Sequence, residues 1–569
     1  MTNIMSMANV KNRPSRNGFD ISAKNGFTAK VGELLPVLVA DCLAGDKFKI
    51  RTDWFTRTKP LQTSAFTRMR EYYDFYFVPY RLLWRYADNF FTQMNIDNSS
   101  TLSSFSYKNP QTVSLPWFNS QDIADYLNSL GDATPFKNEL GFSRRPLSAK
   151  LIEYLDYGAG IVKSSSGSYL NNLDDTDDLN FVSSDYLRFQ YSALYLAAYQ
   201  KIYTDYYRFE QWENNSPSLF NFDYLQLGQN PSEQDTHIDI QRYISQANNG
   251  MTLFDLRYCN WNKDLFHGLL PSAQYGDSAY VGTFDGFADS QNVRTLGYDS
   301  DGLKPVVGGT LVQPQLSNKN INSAFNFNIL ALRQAEFLQR WKEIAQFGKK
   351  DYKSQMEQHW NVKISDARSN LCTFIGGLQS NLNISEVVNT NITENNPAAI
   401  AGKSVGVGNG VIDYSVPEPG VLMCIYHCLP ILDYSSFGTA PHNFKVRPTD
   451  FAIPEMDKAG MQLVPPEWLA NCVDVYGNTH QGEDYLGYAP RYIEYKTNVD
   501  RVHGDFNNTL KDWVATLDFE YLRKLFNRQN VIWSYAAMKV NPSVMDTVFG
   551  VNCDSYNMTD QLSLQHKTI

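Results

Sequence analysis

Apolar and polar residues alternate over residues 47–54 in the pattern of a half-buried β-strand. One face carries Phe48, Ile50 and Trp54, and the other carries Lys47, Lys49 and Arg51. Because successive side chains of a strand point to opposite sides of a sheet, this segment is predicted to present a basic outer face. Residues 72–78 are largely apolar on both faces, which is typical of a strand covered on two sides.

Other segments with a clear period lie mainly toward the two ends of the chain. Further strands are predicted at 31–39, 421–431, 491–497, 513–519 and 531–540. Helices are predicted at 81–91, 186–212 and 327–347. The last helix has one broad apolar stripe made of Leu330, Phe337, Leu338, Trp341, Ile344 and Ala345.

A long region of polar and turn-forming residues, 92–324, separates the two groups of strands. No internal repeat and no low-complexity linker divides the chain into separate domains. Strands collected from both ends of a long chain favour one sandwich or barrel with expanded loops. We therefore predict a mainly β fold in which a basic N-terminal arm, 1–30, precedes one domain, 31–569.

Charge is distributed unevenly along the sequence. The net charge is −10, but residues 1–85 contain 14 Lys and Arg against 7 Asp and Glu, so that segment carries +7 and the remainder −17. Such asymmetry indicates either a nucleic-acid-facing arm on an acidic body or a solvated basic strand face. Aromatic residues make up 14% of the chain, which suits protein interfaces and stacking on bases or sugars.

Short motifs give no support for catalysis, a metal site or a bound cofactor. An Ala-Gly-Lys-Ser sequence at 401–404 matches the end of a phosphate-binding loop, but Pro397 stands where that motif needs a glycine. Cys424, His427 and Cys428 resemble metal ligands, yet strand alternation places His427 opposite both cysteines. We predict no catalytic residue, no metal and no cofactor.

Cysteine usage and hydropathy predict a soluble, reduced protein. The seven cysteines are an odd number, widely scattered and without a CxxC pair, which favours free thiols. The N-terminus lacks the apolar core of a signal peptide, and no apolar run approaches 18 residues. Membrane insertion is therefore not expected.

Several sequence blocks together form a specific pattern along the chain. The most specific is REYYDFYFVPYRLLWR at 70–85, within a longer block at 54–85. The others are FTAKVGELLP at 27–36, 254–276, ALRQAEFLQRW at 331–341, SEVVNTN at 385–391, GVLMCIYH at 420–427, GYAPRYIEYK at 487–496 and KVNP at 539–542. These blocks, in this order, resemble the major capsid proteins of microviruses, the small icosahedral single-stranded DNA phages, in particular the gokushovirus-like and Bacteroidetes-phage branches.

This resemblance implies a single eight-stranded viral jelly-roll β-barrel with long loop and helical insertions, the largest of them at 92–324. It further implies a capsid protein that assembles in the bacterial cytoplasm, as about 60 copies, into a T=1 icosahedral shell of the virion. The shell would enclose a circular single-stranded DNA genome, with small DNA-binding proteins, pilot proteins and a host surface receptor as further partners. Residues 277–324 are the expected counterpart of a surface protrusion.

Seven cations are the residues we expect to face the DNA: Lys11, Arg13, Arg16, Lys24, Arg57, Lys59 and Arg68. In that position Arg and Lys would neutralise phosphates without reading bases. The residues alone leave one alternative open, a carbohydrate-binding or carbohydrate-active jelly-roll protein, because surface aromatics and acidic loops also suit sugars.

Overall fold

A computed structural model provides the structure of the chain. It describes residues 17–29, 31–58, 66, 68–92, 115–130, 144–164, 181–183, 189–211, 215–225, 236–247, 251–276, 295–299, 302–307, 310–311, 329–349, 351–388, 400–457, 460–469, 486–510, 513–514 and 556–568. These residues divide into two compact units, one of which is Ser272–Val362 and the other the remainder of the chain.

The larger unit contains most of the strands and seven α-helices among its described residues. Its strands are β1 (Asn17–Asp20), β2 (Ala23–Ala29), β3 (Leu35–Cys42), β4 (Lys47–Thr58), β5 (Met69–Pro79), β6 (Trp117–Phe118), β7 (Val162–Ser164), β8 (Phe181–Ser183), β9 (Tyr191–Ser192), β13 (Thr373–Val388), β14 (Ile400–Ser415), β15 (Gly420–Pro430), β16 (Tyr434–Ser435), β17 (Met461–Val464), β18 (Gly487–Pro490), β19 (Arg501–Val502) and β20 (Tyr556–Thr568). Its first six helices are α1 (Ala87–Thr92), α2 (Ser120–Ser129), α3 (Arg144–Tyr154), α4 (Leu194–Ile202), α5 (Phe222–Leu225) and α6 (Ile240–Ala247).

Among its described residues, the smaller unit has a three-stranded antiparallel sheet and two helices. Its elements are β10 (Thr295–Asp299), β11 (Gly302–Val307), β12 (Thr310–Leu311), α7 (Ile329–Phe347) and α8 (Tyr352–Trp360). A further short helix, α9 (Asp366–Ser369), belongs to the larger unit. The helix predicted at 327–347 is confirmed, but Phe337, Leu338 and Trp341 from its apolar stripe are largely exposed.

Nine strands of the larger unit form one antiparallel network in the order β1–β20–β4–β14–β13–β5–β15–β3, with β2 also paired to β20. β13 joins two layers of this network, because residues 373–382 pair with β5 whereas residues 383–388 pair with β14. The first layer contains β4, β14 and β20, and the second contains β5, β15 and β3.

The inner faces of these two layers pack directly on each other. The Trp54 ring of β4 lies 4.7 Å from the Tyr73 ring of β5. Next to β4 in the first layer, β14 places a glycine at alternate positions, and a Cβ at Gly408, which lies opposite Trp54, would be 2.1 Å from the Trp54 indole. The alternating glycines therefore let β14 approach bulky side chains that no larger residue would accommodate.

Helix α4 covers the other side of the second layer. It packs against β5 and β15, and its Tyr199 hydroxyl donates a 2.8 Å hydrogen bond to the Leu34 carbonyl. Every residue of β15 is buried, and so are both faces of the second half of β5. The prediction that residues 72–78 form a strand covered on two sides is confirmed.

Other predictions from the sequence need correction. Residues 491–497 do not form a strand; β18 ends at Pro490, and a 3₁₀ turn, Ile493–Tyr495, follows because Tyr492 adopts a left-handed conformation with φ 59°. Within the described residues 189–211, the helix predicted at 186–212 is confined to α4 and a π-helical segment, Tyr203–Tyr207. The strand predicted at 531–540 and most of 513–519 lie outside the described residues.

The prediction of a mainly β fold is confirmed only in part. Helices and strands are comparably extensive in the described chain, and no sheet closes into a barrel among those residues. Residues 17–29 of the predicted N-terminal arm form β1 and β2, both paired with β20, whereas residues 1–16 lie outside the described part.

Candidate nucleic-acid interface

The outer face of β4 carries a row of basic side chains. Lys47, Lys49, Arg51 and Arg57 are all exposed. The intervening Phe48, Ile50 and Thr52 are buried against the second layer. The alternation therefore fixes the cations on the solvent side of the sheet, as the sequence predicts.

Glu71 anchors the inner face of the same strand. Its carboxylate accepts hydrogen bonds from Trp54 Nε1 at 3.0 Å, Thr56 Oγ1 at 2.6 Å and Ser380 Oγ at 2.5 Å. Burial raises the pKa of the Glu71 carboxyl, while these hydrogen bonds act in the opposite direction. The network joins β4, β5 and β13, so the basic row is presented by a rigid strand.

β14 adds apolar side chains beside the basic row. Val405 lies opposite Arg57, Val407 opposite Phe55 and Val411 opposite Arg51 in the antiparallel register. Val407 and Val411 are 66% and 54% exposed. Directly opposed residues share one face of a sheet, so cations and valines form one mixed surface.

Local contacts distinguish the cations of this surface from one another. The Arg57 guanidinium carbon lies 4.7 Å from the centroid of the Phe55 ring, and Arg51 Nε forms a 3.1 Å ion pair with Asp53. Arg51 is already paired, so among the described residues the cations of this row without an ion pair are Lys47, Lys49 and Arg57, and Asp413 lies opposite Lys49 in the register.

The register of β20 brings Lys24 onto the same face. Lys24 of β2 lies opposite Gln561, and Gln561 lies opposite Asp53 of β4. Adjacent strands are about 4.8 Å apart, so Lys24 stands roughly 10 Å across the sheet from the basic row. We call Lys24, Lys47, Lys49, Arg51 and Arg57, with the β14 valines, the basic sheet face.

Arg68 does not belong to this face. It precedes β5 and contacts two carboxylates, Asp500 in a short ion pair and Asp433 at 3.9 Å. Of the seven expected DNA-facing residues, the structure thus brings Lys24 and Arg57 together and separates Arg68 from them. The other four, Lys11, Arg13, Arg16 and Lys59, lie outside the described residues.

Comparison with known proteins identifies the family. A family model described as "Capsid protein (F protein)" matches residues 8–139 and 156–554 of this chain. The chain belongs to the phage F capsid protein family. The resemblance to microvirus capsid proteins found in the sequence is therefore confirmed.

A curated relative supports the same assignment. The capsid protein is similar to "Capsid protein VP1" of Chlamydia phage 1, with 22% identity over 548 residues. The alignment covers 90% of this chain and 88% of the relative. A capsid protein assembles as a multimeric shell in the virion, so its role is structural.

The two sequence motifs that resemble a phosphate-binding loop and a metal site are parts of the β scaffold of the capsid protein. Residues 401–404 lie within β14 rather than in a loop before a helix. His427 is buried beside Tyr72, with the rings stacked 4.7 Å apart, whereas Cys424 and Cys428 occupy the opposite face of β15. No group of three metal-ligating side chains, and no helix able to cross a membrane, occurs among the described residues.

Proposed function

We propose that the capsid protein forms a T=1 icosahedral shell of about 60 copies around a circular single-stranded DNA genome. Its match to the F family along nearly the whole chain supports a shell built from this subunit. The two packed antiparallel layers also suit a viral jelly roll in which β13 passes from one layer to the other.

The basic sheet face is proposed to line the inside of this shell. The observation that carries the proposal is the grouping of Lys24, Lys47, Lys49 and Arg57 on one exposed face of a chain whose net charge is −10. Cations there would neutralise phosphates without reading sequence, and Phe55 and the valines offer apolar contact to bases. Lys11, Arg13, Arg16 and Lys59 would extend the same surface.

Residues 277–324 are proposed as a surface protrusion that contacts the host receptor. All of them fall in the compact unit Ser272–Val362, and their described part includes the hairpin of β10 and β11. Small DNA-binding and pilot proteins would be further partners inside the virion.

Genome retention tests the proposed orientation of the basic sheet face. In one variant, Gln replaces Lys24, Lys47, Lys49 and Arg57; in a matched control, Gln replaces the exposed cations Arg85, Lys163, Lys263 and Lys363 of the larger unit. The measurement is nuclease-protected single-stranded DNA per purified particle. We expect the first variant to form shells that retain less DNA than the control, and equal DNA content would refute the orientation.

A further inference from the structure

Five apolar side chains project into solvent from the loops around β17 and β18. They are Phe444, Val446, Phe451, Met456 and Tyr495, and we call them the apolar loop patch. Val446 is 82% exposed, and Phe451 and Tyr495 are each 52% exposed. Single exposed apolar residues are ordinary, but a group of this size marks an interaction surface.

Contacts at Tyr495 join the separate loops into one patch. The Tyr495 hydroxyl accepts a 3.4 Å hydrogen bond from the backbone N–H of Ala452, which follows Phe451. Its ring lies 3.4 Å from Nζ of Lys445, the residue between Phe444 and Val446. The segments that carry these side chains, 444–446, 451–456 and 495, are therefore neighbours in space.

The loops that carry the patch are held in place by polar contacts. One Asp450 oxygen accepts hydrogen bonds from the backbone N–H groups of Val446 at 3.0 Å and Arg447 at 2.7 Å. The Tyr492 hydroxyl accepts another from the Ile453 N–H at 3.2 Å. A fixed apolar surface loses little conformational entropy when a partner covers it, so the patch is prepared for binding.

The size of the patch suits one contact of an assembled subunit. Its three rings, each about half exposed, and its two aliphatic side chains present roughly 500 Å² of apolar surface. One partner of a standard protein interface contributes about 800 Å² in total. The patch could therefore supply the apolar centre of one such interface.

Local charge balance favours a second copy of this chain as the occupant. Described residues 441–457 and 491–497 contain four cations, Lys445, Arg447, Arg491 and Lys496, and four anions, Asp450, Glu455, Asp457 and Glu494. Ion pairs join Lys445 to Glu494 at 3.5 Å and Lys496 to Asp457 at 2.6 Å. Although each copy has a net charge of −10, the charges around this patch balance, so two copies can meet here without strong electrostatic repulsion.

We propose that the apolar loop patch is a contact between neighbouring copies in the shell. The inference rests on the shell-forming function and adds the surface through which one copy binds the next. In a shell the patch would meet a different surface of its neighbour, because heterologous contacts that close around rotation axes produce a finite assembly.

Hydroxyl-radical footprinting of the wild-type protein tests this without any substitution. The side chains of Phe451 and Met456 are compared in unassembled subunits and in purified particles. We expect their oxidation rates to fall by about tenfold on assembly, since a covered side chain is shielded from solvent. Equal rates in both states would overturn the proposal.

A charge-insertion variant provides the second test. We expect the Val446→Glu, Phe451→Glu double variant to fold with wild-type circular dichroism but to give at least about tenfold fewer particles, because an unpaired charge would be buried. The matched control is Val182→Glu, Phe189→Glu, at side chains that are 50% and 61% exposed. Wild-type particle yield from the patch variant, or equal loss from both variants, would overturn the proposal. Absence of closed particles from the wild type would instead refute the shell itself.

Discussion

Removing the free cations of the basic sheet face should weaken the salt dependence of DNA binding by a calculable amount. Four cations of this face, Lys24, Lys47, Lys49 and Arg57, are exposed and have no ion pair among the described residues. Each neutralised phosphate contributes a slope of about −0.7 to log affinity against log salt for single strands. The four together should therefore account for a slope of about −3.

The same slope can be expressed as a change in affinity. Between 50 and 200 mM salt, wild-type affinity for single-stranded DNA should fall about 50-fold more than that of the fourfold Gln variant. The assay is fluorescence anisotropy of a labelled oligothymidine with unassembled subunits at several salt concentrations. The control at Arg85, Lys163, Lys263 and Lys363 has the same net charge but leaves the basic sheet face intact.

Two results would refute this reasoning. If the variant and the wild type had the same slope, the four cations would not contact phosphates. If the control lost as much slope as the variant, binding would follow the overall charge of the protein rather than this face.

Three further predictions concern the scaffold behind the face, each measured as the free energy of unfolding of the unassembled subunit in urea. Gly408→Ala should cost about 1–3 kcal/mol because its Cβ would overlap the Trp54 ring, and an unchanged midpoint would contradict the close packing. Glu71→Leu should cost about 2–4 kcal/mol because the hydroxyls of Thr56 and Ser380 lose their acceptor, while Trp54 Nε1 still donates to Ser380 Oγ, whereas Glu71→Gln should cost less; equal losses would contradict the hydrogen-bond argument. Burial lowers the pKa of His427 from 6.5 to about 3, so only the unfolded chain takes up its proton as pH falls below about 6.5. Between pH 7.5 and pH 4.5 the free energy of unfolding of the wild type should therefore fall by about 2–3 kcal/mol more than that of His427→Phe. Equal falls in the two proteins would contradict a neutral buried histidine.

Local patterns predicted β4 and its basic outer face because alternation is a property of consecutive residues. The partners of β4 could not be predicted in the same way. β14 and β20 lie hundreds of residues away in sequence, and only their register places Lys24 on the same face as Arg57 and Val405 opposite Arg57. The alternating glycines of β14 were a signal for close packing, but the sequence does not show that Trp54 is the side chain they accommodate.

Tertiary contacts also explain the expectations that were wrong or incomplete. Residues 491–497 alternate like a strand, yet the left-handed backbone of Tyr492 and its bond to Ile453 turn the chain there. Arg68 has the charge expected of a DNA contact, but its carboxylate partner Asp500 is far away in sequence. Such pairings depend on the fold as a whole, so no local pattern identifies them.

The most direct test of the central claim is electron cryomicroscopy of the purified, DNA-containing protein. The account predicts closed T=1 particles of about 60 copies in which the outer face of β4 and β14 lines the interior next to the genome. Closed particles with that face on the outside would contradict the proposed DNA interface. A protein that remains a monomer or small oligomer under assembly conditions would contradict the shell and favour the carbohydrate-binding alternative.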